Sequence, residues 1–536
     1  MRTTLWKFAL GSAVAAAVST GAQAQDEPKR GGILRLVVAS EAPSWDGHIE
    51  TTFGTIHPIA PFYSLLVRVN PNNPSDPSDI ECDVCESWEV SDDKKTYTFK
   101  VRDDIKFHDG TPLTAHDVVA TYEKIIFPPE GVSSAYQAFY VMVDKVTAPD
   151  DYTVEFQLKY PSGAFFPALA NPFNFIYAKK DLDEHGYEWH QTNVNGTGPF
   201  KLKGFDPGAS VDGVRNEDYH HEGKPYLDGY KAIVATELSA RVQAIEGGQA
   251  DIEFRGFPPK QRDELKDALG DQITVQESDW NCVLIVTPNH RRPPLDDPRV
   301  RKAMTLAIDR WGGSQYLSNI AIVKTVGGIV FPNHPLAATE EELTQLAGYG
   351  KDIEASREEA RKLLEEAGVE EGHKFVFNNR GVDQPYRVVG TWLVDQWRQI
   401  GLNVEMQVNP TPVFYDTLRE SRNFDLSIDF NCQSLINPIA DVSFFWPESP
   451  DNHSGVKDER LSELYLEIAR EPDTDRQREL IRELEKRALD EVAAQFITLW
   501  WYKINPYRSY VKGWKIPPSH YLAQQLDHIW LDKEGG

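Results

Sequence analysis

Positive charge is in short supply in this chain: 56 Lys and Arg face 82 Asp and Glu, a net charge of −26. Residues 1–24 carry only Arg2 and Lys7, so their removal takes the balance to −28. So acidic a surface repels phosphate backbones and anionic lipids, which argues against nucleic acid as a partner. Long apolar runs are missing too. Residues 8–18 are apolar, but a bilayer-spanning helix needs about 20 residues, and no later segment comes closer. That short run lies between a basic n-region and Ala22-Gln23-Ala24, the pattern of an export signal cut before Gln25. No cysteine would stand at the new N-terminus, so no lipid anchor is indicated. The mature protein is expected to be exported and soluble.

Catalytic signatures are also lacking. There is no G-x-S-x-G, H-E-x-x-H, P-loop or G-x-G-x-x-G. Ser91-x-x-Lys94 matches a serine–lysine acylase tetrad, but its partner motifs are absent and it sits in a charged turn. His220-His221 and His185/His190 lack the spacing of a folded-in ligand set and read as surface histidines. Asp296-Asp297, in a Pro-rich turn, reads as solvated. No catalytic residue, metal or cofactor is expected. Cysteine is limited to four residues, which in an exported chain are disulfide candidates. Cys82 and Cys85 form a C-x-x-C that could be a redox motif, half a zinc site or a tight local bridge. Cys282 and Cys432 each lie in a strand-like segment.

Regular structure is plentiful. Ile33 to Val38 reads as a buried strand, and Tyr97, Phe99 and Val101 alternate with polar residues, as do Val154, Phe156 and Leu158. Thr114 and Asp117 cap a helix carrying Val118, Tyr122 and Ile125. Ser356 with Glu359, and Thr474 with Gln477, read as capping boxes, and Gly368 ends the first of these helices. Strands and helices interleave throughout, which argues α/β. A chain of 536 residues is too long for one core, yet no linker or repeat divides it. Domains crossed more than once by the backbone are the expectation. The 13 Trp, 21 Tyr and 25 Phe suit a ligand cleft as well as packing.

Residues 86–115, ESWEVSDDKKTYTFKVRDDIKFHDGTPLTA, resemble the signature of family 5 extracellular solute-binding proteins, the oligopeptide, dipeptide and nickel-chelate class. Gly196-Thr197-Gly198-Pro199-Phe200, Gly223-Lys224-Pro225-Tyr226-Leu227-Asp228, Gly248 to Ile252 and Pro293 to Arg310 resemble further family segments in the same order. The resemblance implies a two-lobed periplasmic clamp (type II, cluster C) with an extra domain on lobe one. Lobe one would comprise 26–60, 189–275 and 505–536, the extra domain 61–188 and lobe two 276–504. It also implies a Cys282–Cys432 bridge. Phe430 to Pro438 is similar to the family's pocket strand, in which an aspartate holds a peptide ammonium; Ser434 stands at that position. Gln433, Ser434 and Asn437 are therefore site candidates, with Glu41, Phe53, Trp280, Asn281, Trp500 and Trp501 added by family position. Glu41 or Asp279 could replace the missing charge. The implied role is a monomeric, periplasmic, non-enzymatic receptor that hands a peptide-like solute to ABC permease subunits in the inner membrane. Alternatives are an oligosaccharide, opine-like or metal-chelate ligand, signalling to a chemoreceptor, and a periplasmic hydrolase.

Overall fold

The computed structural model describes residues 27–332, 334–433 and 437–533. The leader at 1–24, the cleavage point before Gln25 and Ser434 lie outside them.

Three sheets of four or more strands organise these residues. In the first, Ile33–Val38 runs parallel to Gly229–Val234, followed antiparallel by Ser210–Arg215 and Phe200–Asp206. Successive side chains of a strand point to opposite faces. Leu34, Leu36 and Val38 accordingly join the main core, while Val37 packs on Val242, Ile245 and Leu265 from the helices Leu238–Glu246 and Pro259–Leu269. The second sheet is antiparallel, in the order Cys85–Val90, Thr96–Val101, Thr153–Leu158, Val143–Asp150. Tyr97, Phe99 and Val101 face its core, as their alternation indicates. The helix Ala115–Ile126 packs on it and starts with a Thr114–Asp117 capping box.

The third sheet has six strands in the order Val323–Thr325, Phe496–Arg508, Ile273–Pro288, Leu426–Cys432, Lys374–Arg380, Asn403–Asn409. Two of them, Ile273–Pro288 and Phe496–Arg508, are long and pair from Ile273 with Arg508 to Val286 with Phe496. Bridges of Ile252 to Leu36 and to Tyr507 tie the far end of this ribbon to the first sheet. The ribbon therefore runs between the two sheets. Its register breaks between Asp279 and Val283, an irregularity that re-aims side chains. Trp280, Asn281 and Cys282 occupy that break. Cys282 stands opposite Cys432 on the neighbouring strand, and the two are bonded; Cys82 and Cys85 are bonded as well.

Two helix starts differ from their sequence reading. Asp352, not Ser356, caps Ile353–Glu366, and Asp473, not Thr474, caps Thr474–Lys486. A carboxylate already lay one to four residues upstream, and it takes the first amides before the hydroxyl can. Ser356 instead turns its hydroxyl back to the Asp352 carbonyl, and Gln477 donates to the Ile468 carbonyl of the preceding helix. Gly368 does end the first helix, at φ +73°. Among the described residues no helix is long and apolar enough to cross a membrane.

Candidate functional site

The break in the long ribbon faces the segments that follow the first strand and Ile252. Phe53 opens the short helix Phe53–Ile59. The guanidinium carbons of Arg255 and Arg380 lie 3.8 and 4.7 Å from its ring centre. Arg255 also packs on Trp501 at 5.2 Å and on Tyr386 at 5.4 Å. Arg380 ends the strand Lys374–Arg380 and is well bonded. It donates to the hydroxyls of Thr411 (3.0 Å), Tyr415 (3.3 Å), Ser40 (3.2 Å) and Thr52 (3.1 Å).

Arg255 is different. Its Nε, Nη1 and Nη2 are all buried and find no acceptor among the described residues. A buried charge left without a partner costs several kcal/mol. Burial, joined by the like charge of Arg380, pushes its pKa down to about 10. Trp501 Nε1 and Tyr386 Oη beside it also have no hydrogen-bond partner among the described residues. Lys503 Nζ is buried in the same way 5.5 Å from the Trp280 ring, and burial lowers its pKa to about 7. Glu253 is a carboxylate whose charge acts on both Arg255 and Lys503. Three cations against one carboxylate make this end of the site attractive to an anion.

A cavity of about 50 Å³ adjoins it, lined by Tyr136, Tyr415, Tyr521, Arg419, Asp429 and Asp451. Its charge is of the other sign. Asp429, Asp451 and Glu50 surround Arg419, whose guanidinium lies 3.5 Å from the Glu50 carboxylate. Burial pushes the carboxyls of Asp429 and Glu50 up to about 7 and that of Asp451 to about 6. Tyr415 joins the two ends: its hydroxyl accepts from Arg380 and its ring carries Arg419 at 4.3 Å.

Phe53, Trp280 and Trp501 come together in the arginine cluster, with Trp280 edge-on to Trp501 at 4.9 Å and donating to His520 Nδ1. Asn281 pairs by its backbone with Pro518 and Gln433. Gln433 lines the cavity and donates to Asn431 and to the Ala440 carbonyl. Trp500 points the other way, into the core beside Phe331, with its Nε1 on the Gly328 carbonyl. Asn437 caps the helix Pro438–Ser443. The Glu41 carboxylate accepts from the Gly208 amide in a separate cavity with Trp45 and Phe205, whereas its neighbour Ser40 meets Arg380.

Arg255, Arg380, Asp429, Asp451 and Tyr521 were not among the sequence candidates. One signal was available: Asp429 lies inside the buried strand Leu426–Cys432 and Arg380 ends the buried half of Lys374–Arg380, and charges are rarely buried without purpose. Two of the histidines depart from their surface reading, whereas His185 is exposed. His190 is buried and stacked on Tyr177 at 3.7 Å, and the His220 side chain is closed off against Asp83. Sequence spacing does not register a partner that arrives from a distant segment.

Comparison with known proteins agrees with this architecture. Residues 79–453 match the model of bacterial extracellular solute-binding proteins, family 5. The chain belongs to that family, whose members are transport-binding proteins. It is 23% identical over 530 residues to the dipeptide-binding protein DppE of Bacillus subtilis, covering 95% of this chain and 93% of that one. It is 25% identical over 454 residues to the periplasmic oligopeptide-binding protein OppA of Salmonella typhimurium, covering 80% of each. Among solved structures, Haemophilus influenzae OppA in complex with RPPGFSPFR superposes with a TM-score of 0.83 at 21% identity, covering 95% of this chain and 100% of that one. AgaA from Agrobacterium tumefaciens in complex with agropinic acid gives 0.82 at 20%, covering 94% and 99%. The fold is the two-lobed α/β clamp of periplasmic binding proteins.

Proposed function

We propose that the protein is the periplasmic receptor of an ABC importer and that it captures a short zwitterionic, peptide-like solute. One observation carries this reading: Arg255 is fully buried among Phe53, Trp501 and Tyr386, and none of its nitrogens has an acceptor among the described residues. A ligand carboxylate supplies the missing acceptors in the bidentate geometry that guanidinium favours. Arg380 and Lys503 reinforce it. The ligand's ammonium then goes to Asp429 and Asp451, past Tyr415, in place of the family's aspartate at the Ser434 position. Closure of the lobes would bury the ligand, and the closed form would dock on the permease as a monomer. No covalent step is part of this reading. The names of the relatives, a dipeptide binder and an oligopeptide binder, support the same solute class.

A second reading, an opine-like or other acidic solute without an ammonium, is favoured by the excess of cations around Arg255. Calorimetry separates the two. A dipeptide panel should bind, its C-terminally amidated versions should lose at least about tenfold in affinity, and N-acetylated versions should lose a similar amount. Acetylated ligands that bind as well as free ones would favour the acidic solute. Equal binding of amidated ligands would remove the arginine site.

A further inference from the structure

Away from the ligand site, Asp83, His220 and His221 converge. Asp83 sits between Cys82 and Cys85, inside the loop that their disulfide closes. One of its oxygens is anchored by the Leu65 amide at 2.8 Å. The other faces both imidazoles, 3.1 Å from His220 Nε2 and 3.0 Å from His221 Nε2. The three ligating atoms all lie within 4.8 Å of one another. A tetrahedral zinc ion with bonds of about 2.0–2.2 Å holds adjacent ligand atoms roughly 3.3 Å apart, so two edges of the required triangle are already within a few tenths of an ångström.

We propose that Asp83, His220 and His221 form a binding site for a borderline divalent transition-metal ion of the zinc class. Two imidazole nitrogens and one carboxylate oxygen are the donor types such ions select over magnesium or calcium. The carboxylate's second oxygen is held by a backbone amide, the outer-shell support that fixes a ligand's orientation. Charge allows it. Arg68 is committed to Glu81 at 2.9 Å and to Asp527 at 3.0 Å, and Lys224 to Asp527 at 3.3 Å. With neutral imidazoles, three carboxylates against these two cations leave one negative charge in the cluster. Access comes from the His221 side, whose side chain is 22% exposed while those of Asp83 and His220 are closed off. The ion would clip the Cys82–Cys85 loop, which leads into the antiparallel sheet, to the loop between Ser210–Arg215 and Gly229–Val234 of the first sheet. The role is structural cross-linking, because three side chains from two loops would be joined at one point.

The test is a zinc sulfate titration of chelator-stripped full-length protein, read by calorimetry and by thermal unfolding. The wild type should bind one equivalent and unfold at a higher temperature with zinc present. His221→Gln, at the partly exposed position, should retain its circular dichroism spectrum, lose at least about tenfold in zinc affinity and lose the thermal gain. His116→Gln, which alters an exposed His–Asp pair elsewhere, should behave as wild type. If the wild type takes up no stoichiometric zinc, or His221→Gln binds it as tightly, the site is only a hydrogen-bonded trio and the proposal is overturned. The ligand experiments above do not bear on that outcome.

Discussion

Arg255 and Arg310 are both 1% exposed, yet their surroundings differ in kind. Arg310 lies over the Tyr349 ring at 4.5 Å and donates to the carbonyls of Ile497 (2.8 Å), Thr305 (3.1 Å) and Gly348 (2.6 Å), and to the Thr305 hydroxyl (2.8 Å). It is a structural tie, joining a helix start, a turn and the strand Phe496–Arg508. Arg255 has comparable aromatic packing and none of those acceptors. Residue type and burial are the same, so neither distinguishes an arginine tied into the core from one whose donors are unmet among the described residues. Hydrogen-bond satisfaction does. Trp500 and Trp501 repeat the lesson on adjacent positions of one strand, the first with its Nε1 on a carbonyl and the second without a partner among the described residues.

Substituting each arginine by methionine should split the pair cleanly. Arg310→Met leaves several buried carbonyls without a donor and should cost about 3–5 kcal/mol in denaturant unfolding. Arg255→Met removes an unpaired buried charge and should leave stability within about 1 kcal/mol of wild type, or raise it. The same substitution should weaken binding of a carboxylate ligand by about 2–5 kcal/mol, roughly 30-fold or more, by calorimetry. A large stability loss in Arg255→Met would show that its surroundings tie it as firmly as those of Arg310.

The tryptophans give a smaller contrast. Trp500→Phe breaks the bond to Gly328 and should cost about 1–2 kcal/mol of stability with ligand affinity unchanged. Trp501→Phe should do the reverse, lowering affinity severalfold with little change in unfolding. Matched effects of the two variants on both readouts would erase the distinction.

The acid-rich end adds a pH dependence. Asp429 and Asp451 pair with an ammonium only when ionised, and their carboxyls are raised to about 7 and about 6. Affinity for a zwitterion should therefore be greatest near neutrality. It should fall by up to about tenfold per pH unit for each of the two carboxyls as pH drops from about 6.5 to 5, since each proton taken up must be released again on binding. Lys503, with its pKa near 7, is mostly charged at the upper end of that range and gains charge as pH falls, so the anion end does not weaken. An N-acetylated ligand should show a flat profile there. A slope for both would shift the effect away from the acids.

Much of the fold was legible in advance. Alternation identified the strands around Leu34, Phe99 and Phe156, and the Thr114–Asp117 box marked its helix start, because those signals are local. The caps at 352 and 473 lie four residues and one residue before the hydroxyls the capping pattern points to, because two competent side chains stand close together and the sequence does not say which the backbone meets first. Of the residues gathered at the candidate site, Phe53, Trp280 and Trp501 were candidates by family position, but Arg255, Arg380 and Asp429 were not. Their significance rests on contacts with segments far away in the chain.

By itself, the sequence determined an acidic chain of interleaved strands and helices, membership of one binding-protein family and two strand cysteines able to bridge. Tertiary structure alone decided which buried arginine has acceptors, which of two neighbouring tryptophans packs on Arg255, and that His220 and His221 meet Asp83. The reason is physical. Periodicity and capping are settled within a turn or two of the chain, whereas a hydrogen bond is satisfied only by whatever atom the whole fold brings within about 3 Å.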